Sequence, residues 1–493
     1  MTSYRHASGQ ALPLALGLAG VGALALLAFY NLGQVIAGRA RLTHTADAAA
    51  YSGALVQARA MNFLAYVQRA QVAHQVAMAH LVTLASWAQF GQAERQRLLQ
   101  GNPPGPLIGM LFGAAHGRAY ASAVAAADGQ GLLMQFERAH ARHDALVHRV
   151  LSASARATLA QVRDGRREAM RAVVQANYPE LPIPEISESG LPPRDRLSMA
   201  VLADEWDGFV RRHPARGQGA LRAMTLSATD RYGFLGPRNG IARNAWPVSF
   251  RCPTWRHELR RRGATRLDGS GTWHSTDTQS FHKLRSNKYI GCYYREYAMG
   301  WGKADARSTG QGKAESGVDA PQDFSREAFW KWVRANTSWD IVHGIANPLA
   351  YAYAMKGAAR WSSGGLPAYA EVPLRRAAVP ARFALRLRHP APLLKTIGAR
   401  SGIPAAPGRL SPADLDDGDA IEVISAAEVY FARPEPRGDG ADELATLFRP
   451  YWQARLAPMR EDKRIRQTRI TGWRLADRAL APAARGGDGN HGD

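Results

Sequence analysis

Three places in the sequence gather side chains of the kind that carry chemistry. His140, Asp144 and His148 fall at i, i+4 and i+8, so a helix would set them on one face, with His143 adjacent. Two imidazoles one turn apart chelate a divalent metal, and a carboxylate can add an oxygen ligand. No HExxH pattern supplies a base and no third strong ligand is near, so the set reads as a solvated polar face. Trp273-His274-Ser275-Thr276-Asp277, with His282 close behind, holds the residue types of a nucleophile and its base. No GxSxG elbow surrounds the Ser, and triad members rarely lie so close in sequence. A surface loop is the expectation there. Gly310-Gln-Gly312-Lys313-Ala314 has the outline of a phosphate loop. The first Gly of GxxxxGK would fall at Arg307, and Ala314 stands where Ser or Thr binds magnesium. The chain is therefore not read as a motor ATPase or as any other enzyme, and no catalytic residue, cofactor or metal ligand is assigned.

Two cysteines remain, Cys252 and Cys292, forty residues apart. No CxxC or Cys/His spacing suggests zinc. An even, low count beyond a membrane anchor fits one structural disulfide in an oxidising periplasm. Two buried free thiols are the alternative.

These residues hang on a chain organised around its start. Ala7 to Gly38 runs without Asp, Glu, Lys or Arg, and Ala11 to Tyr30 supplies the roughly 20 apolar residues a spanning helix needs. Pro13 falls in the first turn, where its missing N–H has no helical partner. A secretory signal peptide is the rival reading. Three features oppose it: the run exceeds the roughly 7–15 residues of a signal core, Asn31, Gly33 and Gln34 do not make a small-x-small cleavage site, and the helical pattern continues past the run.

From Arg39 to about Gln100 there is no Pro, and Leu55, Phe63, Val67, Val72, Val76, Leu81 and Leu84 recur at helical spacing, with Arg59, Gln68, Arg69 and Gln75 between them. This reads as a helix continuous with the anchor, kinked near Gly33, Gly38 or Gly53, and ended by Gly101-Asn-Pro-Pro-Gly-Pro106. Residues 107–178 hold further helices and pack back on the first as a hairpin or bundle. Residues 181–217 are a Pro-rich linker. From about Gln218 Gly and short apolar runs become frequent, and eight of the twelve Trp fall between Trp246 and Trp361. A short helix is predicted at Asp323 to Ala335, and strands at 382–388, 421–431 and 451–456. The Trp/Tyr/Arg-rich region 246–301 reads as a domain core pinned by the disulfide, with a stacking surface for glycan or peptide as the alternative. The tail from about Ala483 reads as disordered.

The segment Arg39-Ala-Arg41-Leu42-Thr-His-Thr-Ala46-Asp47-Ala48-Ala49-Ala50-Tyr51-Ser-Gly53-Ala54 resembles the membrane-proximal signature of the TadE/TadG-like family of Flp (Tad) pilus-assembly proteins. The family pattern is a Gly near the start, an uncharged apolar run, an acidic or amide residue at its outer edge, then Arg, Leu and an Ala-Asp-Ala-Ala-Ala block. Gly9, Ala11–Tyr30, Asn31, Arg39 or Arg41, Leu42 and Ala46, Asp47, Ala48, Ala49 and Ala50 take those places. The likeness covers about the first 60 residues. Met61-Asn62-Phe63-Leu64-Ala65-Tyr66, Ala427-Glu428-Val429-Tyr430-Phe431 and Pro450-Tyr451-Trp452-Gln453-Ala454-Arg455-Leu456 resemble a longer TadG-related branch. Members cleaved as pilins carry a Glu five residues after the processed Gly. Leu14 stands there, which argues against processing and against assembly as a pilin subunit.

The resemblance implies an α+β protein with its N-terminus (1–8) in the cytoplasm and a single inner-membrane helix at 9–32. A helical stalk or bundle (33–180), the linker (181–217), a periplasmic α+β head (218–480) and a tail (481–493) would follow. It implies a non-catalytic scaffold, with the inner membrane, other Tad pilus-assembly proteins and pilin-like helices as partners. The stalk would meet pilin-like helices through its Ala-rich face, where small residues let backbones approach. A second reading makes the chain an anchored envelope protein that binds cell-wall glycan (peptidoglycan) or another polyanion. The formal net charge of +22 favours an anionic partner, although Arg and Ala bias also follows from a GC-rich genome. Of the 63 basic residues, eight are Lys and so 55 are Arg, spread through every segment. Nucleic-acid binders concentrate such charge on one helix or patch, so no nucleic acid is expected.

Overall fold

The computed structural model describes residues 11–101, 103–125, 129–186, 195–214, 219–252, 255–288, 291–308, 358–397 and 420–458. The predicted helix at Asp323–Ala335, the Gly310–Ala314 segment, Gly9 and the tail lie outside them. Helices come first: α1 (Ala11–Leu99), α2 (Gly105–Phe112), α3 (Ala114–Ala125), α4 (Gly129–Ala145), one π-helical stretch (Leu146–Leu151) and α5 (Ser152–Asn177). Strands β1 (Glu185–Ile186), β2 (Ser198–Leu202) and β3 (Arg211–His213) precede a short helix, α6 (Ala220–Thr229). Then follow β4 (Gly240–Arg243), β5 (Glu258–Leu267), β6 (Trp273–Asn287), β7 (Gly291–Ser308), β8 (Ala359–Ser363), β9 (Tyr369–Glu371), β10 (Ala381–Pro390), β11 (Ala420–Phe431) and β12 (Trp452–Ala457). The protein is mixed α+β, with a long apolar-starting helix ahead of its sheets.

Helix α1 stays α-helical through Gly33, Gly38 and Gly53. Among the described residues nothing packs around its first turns: Leu12, Leu14, Leu16, Leu18, Val21, Leu24, Leu26 and Phe29 are all exposed. By length and composition this is a helix able to cross a membrane. From Leu42 the same helix becomes half covered, and the covered half is built of small residues.

The chain divides into two compact units, each assembled from separated stretches. Sequence reading set a helical segment ahead of a sheet-bearing one. In the structure each unit combines part of the helices with its own five-stranded sheet. The physical reason is that an Ala-lined helix face buries little area against another helix, and a sheet face with larger side chains covers it.

One unit comprises described residues within Met1–Phe63, Thr158–Arg211 and Val372–Asp493. Its sheet runs in the order β1-β2-β10-β11-β12. Strand β10 is central, antiparallel to β11 (Leu385 opposite Ser425) and to β2 (Leu385 opposite Val201). The predicted strands 382–388, 421–431 and 451–456 are β10, β11 and β12. Along β10, Phe383, Leu385 and Leu387 are buried while Arg382, Arg386 and Arg388 are half-buried, as their period of two requires. The opposing helix face is Leu42, Ala46, Ala49, Ala50 and Ala54, all fully buried. Gly53 lets this approach happen: a Cβ there would lie 2.9 Å from the Met170 sulfur and 3.1 Å from the Phe383 ring.

The other unit comprises described residues within Leu64–Ala157 and Arg212–Glu371. Its sheet runs β4-β5-β6-β7-β8, antiparallel except for the parallel β7–β8 pair, with a register shift at Gln279/Ser280. Ile108, Leu111 and Tyr120 from α2 and α3 pack on Leu259, Phe281 and Met299 of the sheet. The β5–β7 strands escaped the sequence reading because their alternating positions carry Arg, His, Ser and Thr rather than Val or Ile. Several of these are buried by salt bridges and hydrogen bonds instead.

Candidate functional site

Two sets of polar residues invite a functional reading: the clusters with chemical potential in the second unit, and the motif on α1 in the first.

The Trp273–Asp277 stretch is no surface loop. It opens β6, and Ser275 and Asp277 are buried. His274 Nδ1 lies 2.8 Å from Asp305 Oδ1 and its Nε2 lies 3.0 Å from Asp268 Oδ2. Burial by itself would lower the His274 pKa, but the bonds to two carboxylates reverse this and hold it at about 9. Burial pulls Asp268 upward, yet its bonds from His274, Ser270 and the Thr272 backbone N–H bring it down to about 2. The imidazolium therefore has both nitrogens engaged, and neither is free to take a proton from Ser275. Ser275 Oγ instead accepts from Thr265 and from Arg238 Nη2, at 3.0 and 3.2 Å. Arg238 also grips Asp277 with two bonds of 2.8 and 2.9 Å. The arrangement is a structural ion clamp. Sequence reading found His274 and Asp277 but not Asp268, Asp305 or Arg238, which lie on other strands and loops.

His140, Asp144 and His148 are not a solvated face. His140 is fully buried, with its ring 5.3 Å from that of Trp361, and burial lowers its pKa to about 4. The Asp144 carboxylate accepts from the Gly364 N–H at 2.9 Å and the Ser363 hydroxyl at 3.0 Å. His148 Nε2 sits 3.1 Å from the Gly365 carbonyl oxygen. The three residues hold the loop after β8. Among the described residues no group of three or more His, Cys, Asp or Glu is placed to hold a metal.

Helix α1 itself reaches into this sheet with polar side chains. Gln68 and Gln75, which alternate with the apolar positions of α1 in the sequence, are buried. Gln68 Oε1 accepts from the Ala370 N–H at 2.6 Å, while Gln75 donates to the Gly365 carbonyl at 3.1 Å and accepts from Trp273 Nε1 at 3.0 Å. Ser86 donates to Asp277 at 2.9 Å. The disulfide joins Cys252 to Cys292, with their Cα atoms 5.6 Å apart.

The α1 motif is organised differently. Asn31 bonds the Ile397 backbone in both directions, at 2.7 and 2.8 Å. Arg41 pairs with Glu180 at 2.6 Å, bonds the Asn177 carbonyl and lays its guanidinium 4.1 Å from the centre of the Tyr178 ring. Leu42, Ala46, Ala49 and Ala50 are buried, Ala48 is exposed, and Asp47 accepts from the Ser425 hydroxyl at 2.6 Å. One step further, Asn62 bonds the Trp452 backbone in both directions at 2.9 Å. Asn31, Arg41, Asp47 and Asn62 thus fasten the chain's own later segments to the helix just beyond its bare apolar run. This corrects one expectation: the Ala-rich face is filled by the unit's own sheet and does not stand open for another helix. The large outward side chains on this stretch are Tyr51 and Phe63.

Arg166 and Asp204 pair inside the same unit, and the Arg166 guanidinium lies 4.7 Å from the centre of the Phe383 ring. Glu428, fully buried, takes Arg382 and Arg455 on its two oxygens. Neither cluster was found by sequence reading, because the paired residues lie 38, 46 and 27 positions apart on different elements.

The geometry defines a chain with one bare, membrane-length helix start whose continuation is clothed by a sheet. Residues 9–59 match the family model described as putative Flp pilus-assembly TadE/G-like. No curated protein and no solved structure matches the chain.

Proposed function

We propose that the chain is a single-pass inner-membrane protein, TadG-like in layout, that serves Flp pilus assembly or anchoring as a non-catalytic scaffold. The observation that carries this is the junction on α1. An apolar helix with no described residue packed around it continues without interruption into the TadE/G-like motif, whose Asn31 bonds the Ile397 backbone and whose Asp47 bonds Ser425 of the sheet. A helix this apolar left bare in water would be costly, and a bilayer removes that cost. The disulfide supports an oxidising compartment, hence the periplasm, for the bulk of the chain. Partners on this reading are other Tad pilus components. In the unit that carries the motif, the outward aromatic positions Tyr51 and Phe63, not the Ala face, are offered to them along α1.

The test is a clean deletion of the gene, with complementation, in which surface pilus filaments are counted and the major pilin is quantified in the same cells. Loss of filaments with pilin still in the membrane is the expected result. Normal filament number and length would refute the assembly role. Release of the protein by carbonate at high pH would refute the anchor separately.

A further inference from the structure

The end of the apolar run on α1 is marked by one polar side chain. Ala11 to Asn31 spans about 30 Å of helix at ~1.5 Å per residue, the thickness of a bilayer's hydrocarbon core. With α1 as the anchor, Asn31 stands where hydrocarbon gives way to headgroups. A carboxamide there is costly unless it is paired.

The partner comes from far along the chain. Asn31 Nδ2 donates to the Ile397 carbonyl at 2.7 Å, and the Ile397 N–H donates to Asn31 Oδ1 at 2.8 Å. This exchange engages both backbone groups of Ile397. Non-helical backbone is kept out of lipid by its unpaired N–H and C=O groups, and at Ile397 Asn31 removes that obstacle.

The path to Ile397 follows α1 towards the apolar run. A Cβ at Gly53 would lie 3.1 Å from the Phe383 ring, near the start of β10. One at Gly38 would lie 3.7 Å from Ile421, which faces His389 at the other end of that strand, and 3.0 Å from Leu394. A single 3-10 turn (Ala391–Leu393) follows β10, closed by the Leu394 N–H on the Ala391 carbonyl at 3.0 Å. Gly38 lies about 10 Å beyond Asn31 along the helix, and extended chain from Leu394 to Ile397 covers about the same distance. The segment therefore crosses the headgroup layer.

The side chains are layered to suit that depth. Ile397 is 42% exposed, and on α1 Leu32 and Ile36 are 55% and 60% exposed. Lys395 is exposed and falls between Leu394 and Ile397, at headgroup level. Glu180 is paired with Arg41, about 15 Å beyond Asn31, and lies within the field of Lys395. Glu422, next to Ile421, lies within the field of Arg386 and Arg388. Charge thus stays at the headgroups or above them, and apolar side chains lie below.

We infer that the segment Leu394–Ile397 is a second phospholipid contact of this unit, in which Asn31 holds Ile397 at the boundary of hydrocarbon and headgroups. The end of the sheet where β10 meets β11 then stands on the bilayer at a fixed height and rotation about α1. The inference rests on α1 being a membrane anchor.

The experiment measures depth in the full chain, reconstituted in liposomes of phosphatidylethanolamine and phosphatidylglycerol. Cys252 and Cys292 are joined to each other, so an introduced Cys is the reactive thiol for a spin label. Labels are placed by Ile397→Cys, Val21→Cys and Ala48→Cys, the last two about 15 Å inside and about 25 Å outside Asn31 along α1. Collisions with oxygen, which concentrates in hydrocarbon, are compared with collisions with a water-soluble nickel chelate. The 397 label should favour oxygen and lie within about 5 Å of the hydrocarbon boundary, while the Ala48 label favours nickel. Adding Asn31→Leu should move the 397 label to the Ala48 values and leave the Val21 label in hydrocarbon. The first comparison needs no change at Asn31. A 397 label that matches Ala48 while Val21 lies in hydrocarbon would overturn the inference and leave the anchor standing. So would a 397 label whose depth Asn31→Leu does not alter. A Val21 label open to nickel would overturn the anchor and the inference together.

Discussion

Replacing His274 by Asn tests the ion clamp directly. The imidazolium is bonded to Asp268 and Asp305, and its pKa stands at about 9 against an ordinary 6.5. A group whose pKa is raised on folding stabilises the fold fully below its unfolded value and loses that contribution as pH rises through the folded one. The clamp is therefore complete below about pH 6.5 and fades towards pH 9 and above. At ~1.4 kcal/mol per pH unit the interval sets a ceiling of about 3 kcal/mol. The His274 side chain is 32% exposed, and solvent screening lowers the working figure to about 2 kcal/mol. Glu94 titrates in the same range, because burial raises it to about 8 against the opposing charge of Arg261. Its sign is the same: the unfolded chain ionises first, so stability falls as pH rises towards 8. His274→Asn keeps the Glu94 contribution, and the difference between the two profiles isolates the clamp. The assay is chemical denaturation followed by Trp fluorescence between pH 6 and 10. The wild-type chain should lose about 2 kcal/mol more than the variant over that interval. Parallel profiles would refute the clamp.

Other outcomes follow from individual contacts. A Cβ on Gly302 would lie 2.0 Å from the Ser86 carbonyl oxygen and 2.6 Å from the Phe90 nitrogen. Gly302→Ala should therefore cost about 3 kcal/mol in thermal unfolding, while Gly20→Ala, with nothing within 4 Å, should leave unfolding of the water-exposed parts unchanged. Ala50→Leu, at a fully buried site, should destabilise by about 1–3 kcal/mol, and Ala48→Leu, at an exposed one, by less than about 0.5 kcal/mol in the same assay. Arg166→Ala strands the Asp204 carboxylate and removes the cation over Phe383, so a loss of about 3 kcal/mol in denaturant unfolding is expected. Cys252→Ser with Cys292→Ser opens a loop of 40 residues and should cost about 3–4 kcal/mol, seen as a lower midpoint that reductant no longer shifts.

The parts legible in the sequence were those that depend on neighbours along the chain. An unbroken absence of charge from Ala7 to Gly38 needs no partner to be read as membrane-length helix. The same holds for the Pro and Gly cluster at 101–106, beside which α1 ends at Leu99, and for the period-two run that became β10. The Ala-Asp-Ala-Ala-Ala block carried the family likeness for the same reason. Its role was not legible: small residues at 46–50 signal close approach, but only packing decides that Phe383 and its strand, not a foreign helix, make that approach.

The clusters with chemical potential show the limit more sharply. His274 and Ser275 alone resemble a fragment of a catalytic site. Asp268, Asp305, Thr265 and Arg238 arrive from neighbouring strands and loops, and their bonds engage both nitrogens of the imidazole and the lone pairs of the hydroxyl. The burial of Gln68, Gln75 and Ser86 was likewise not legible, because hydrophobic periodicity counts side-chain types and cannot see the backbone and side-chain partners that make a polar residue affordable inside. The sequence alone determined that Ala11 to Tyr30 is a membrane-length apolar run and that the segment after it resembles TadE/G-like proteins. Which polar side chains are buried, and which face of α1 remains open, was decided by tertiary structure, because each depends on partners from other elements, 10 residues away for Ser275 and Thr265 and 302 for Gln68 and Ala370.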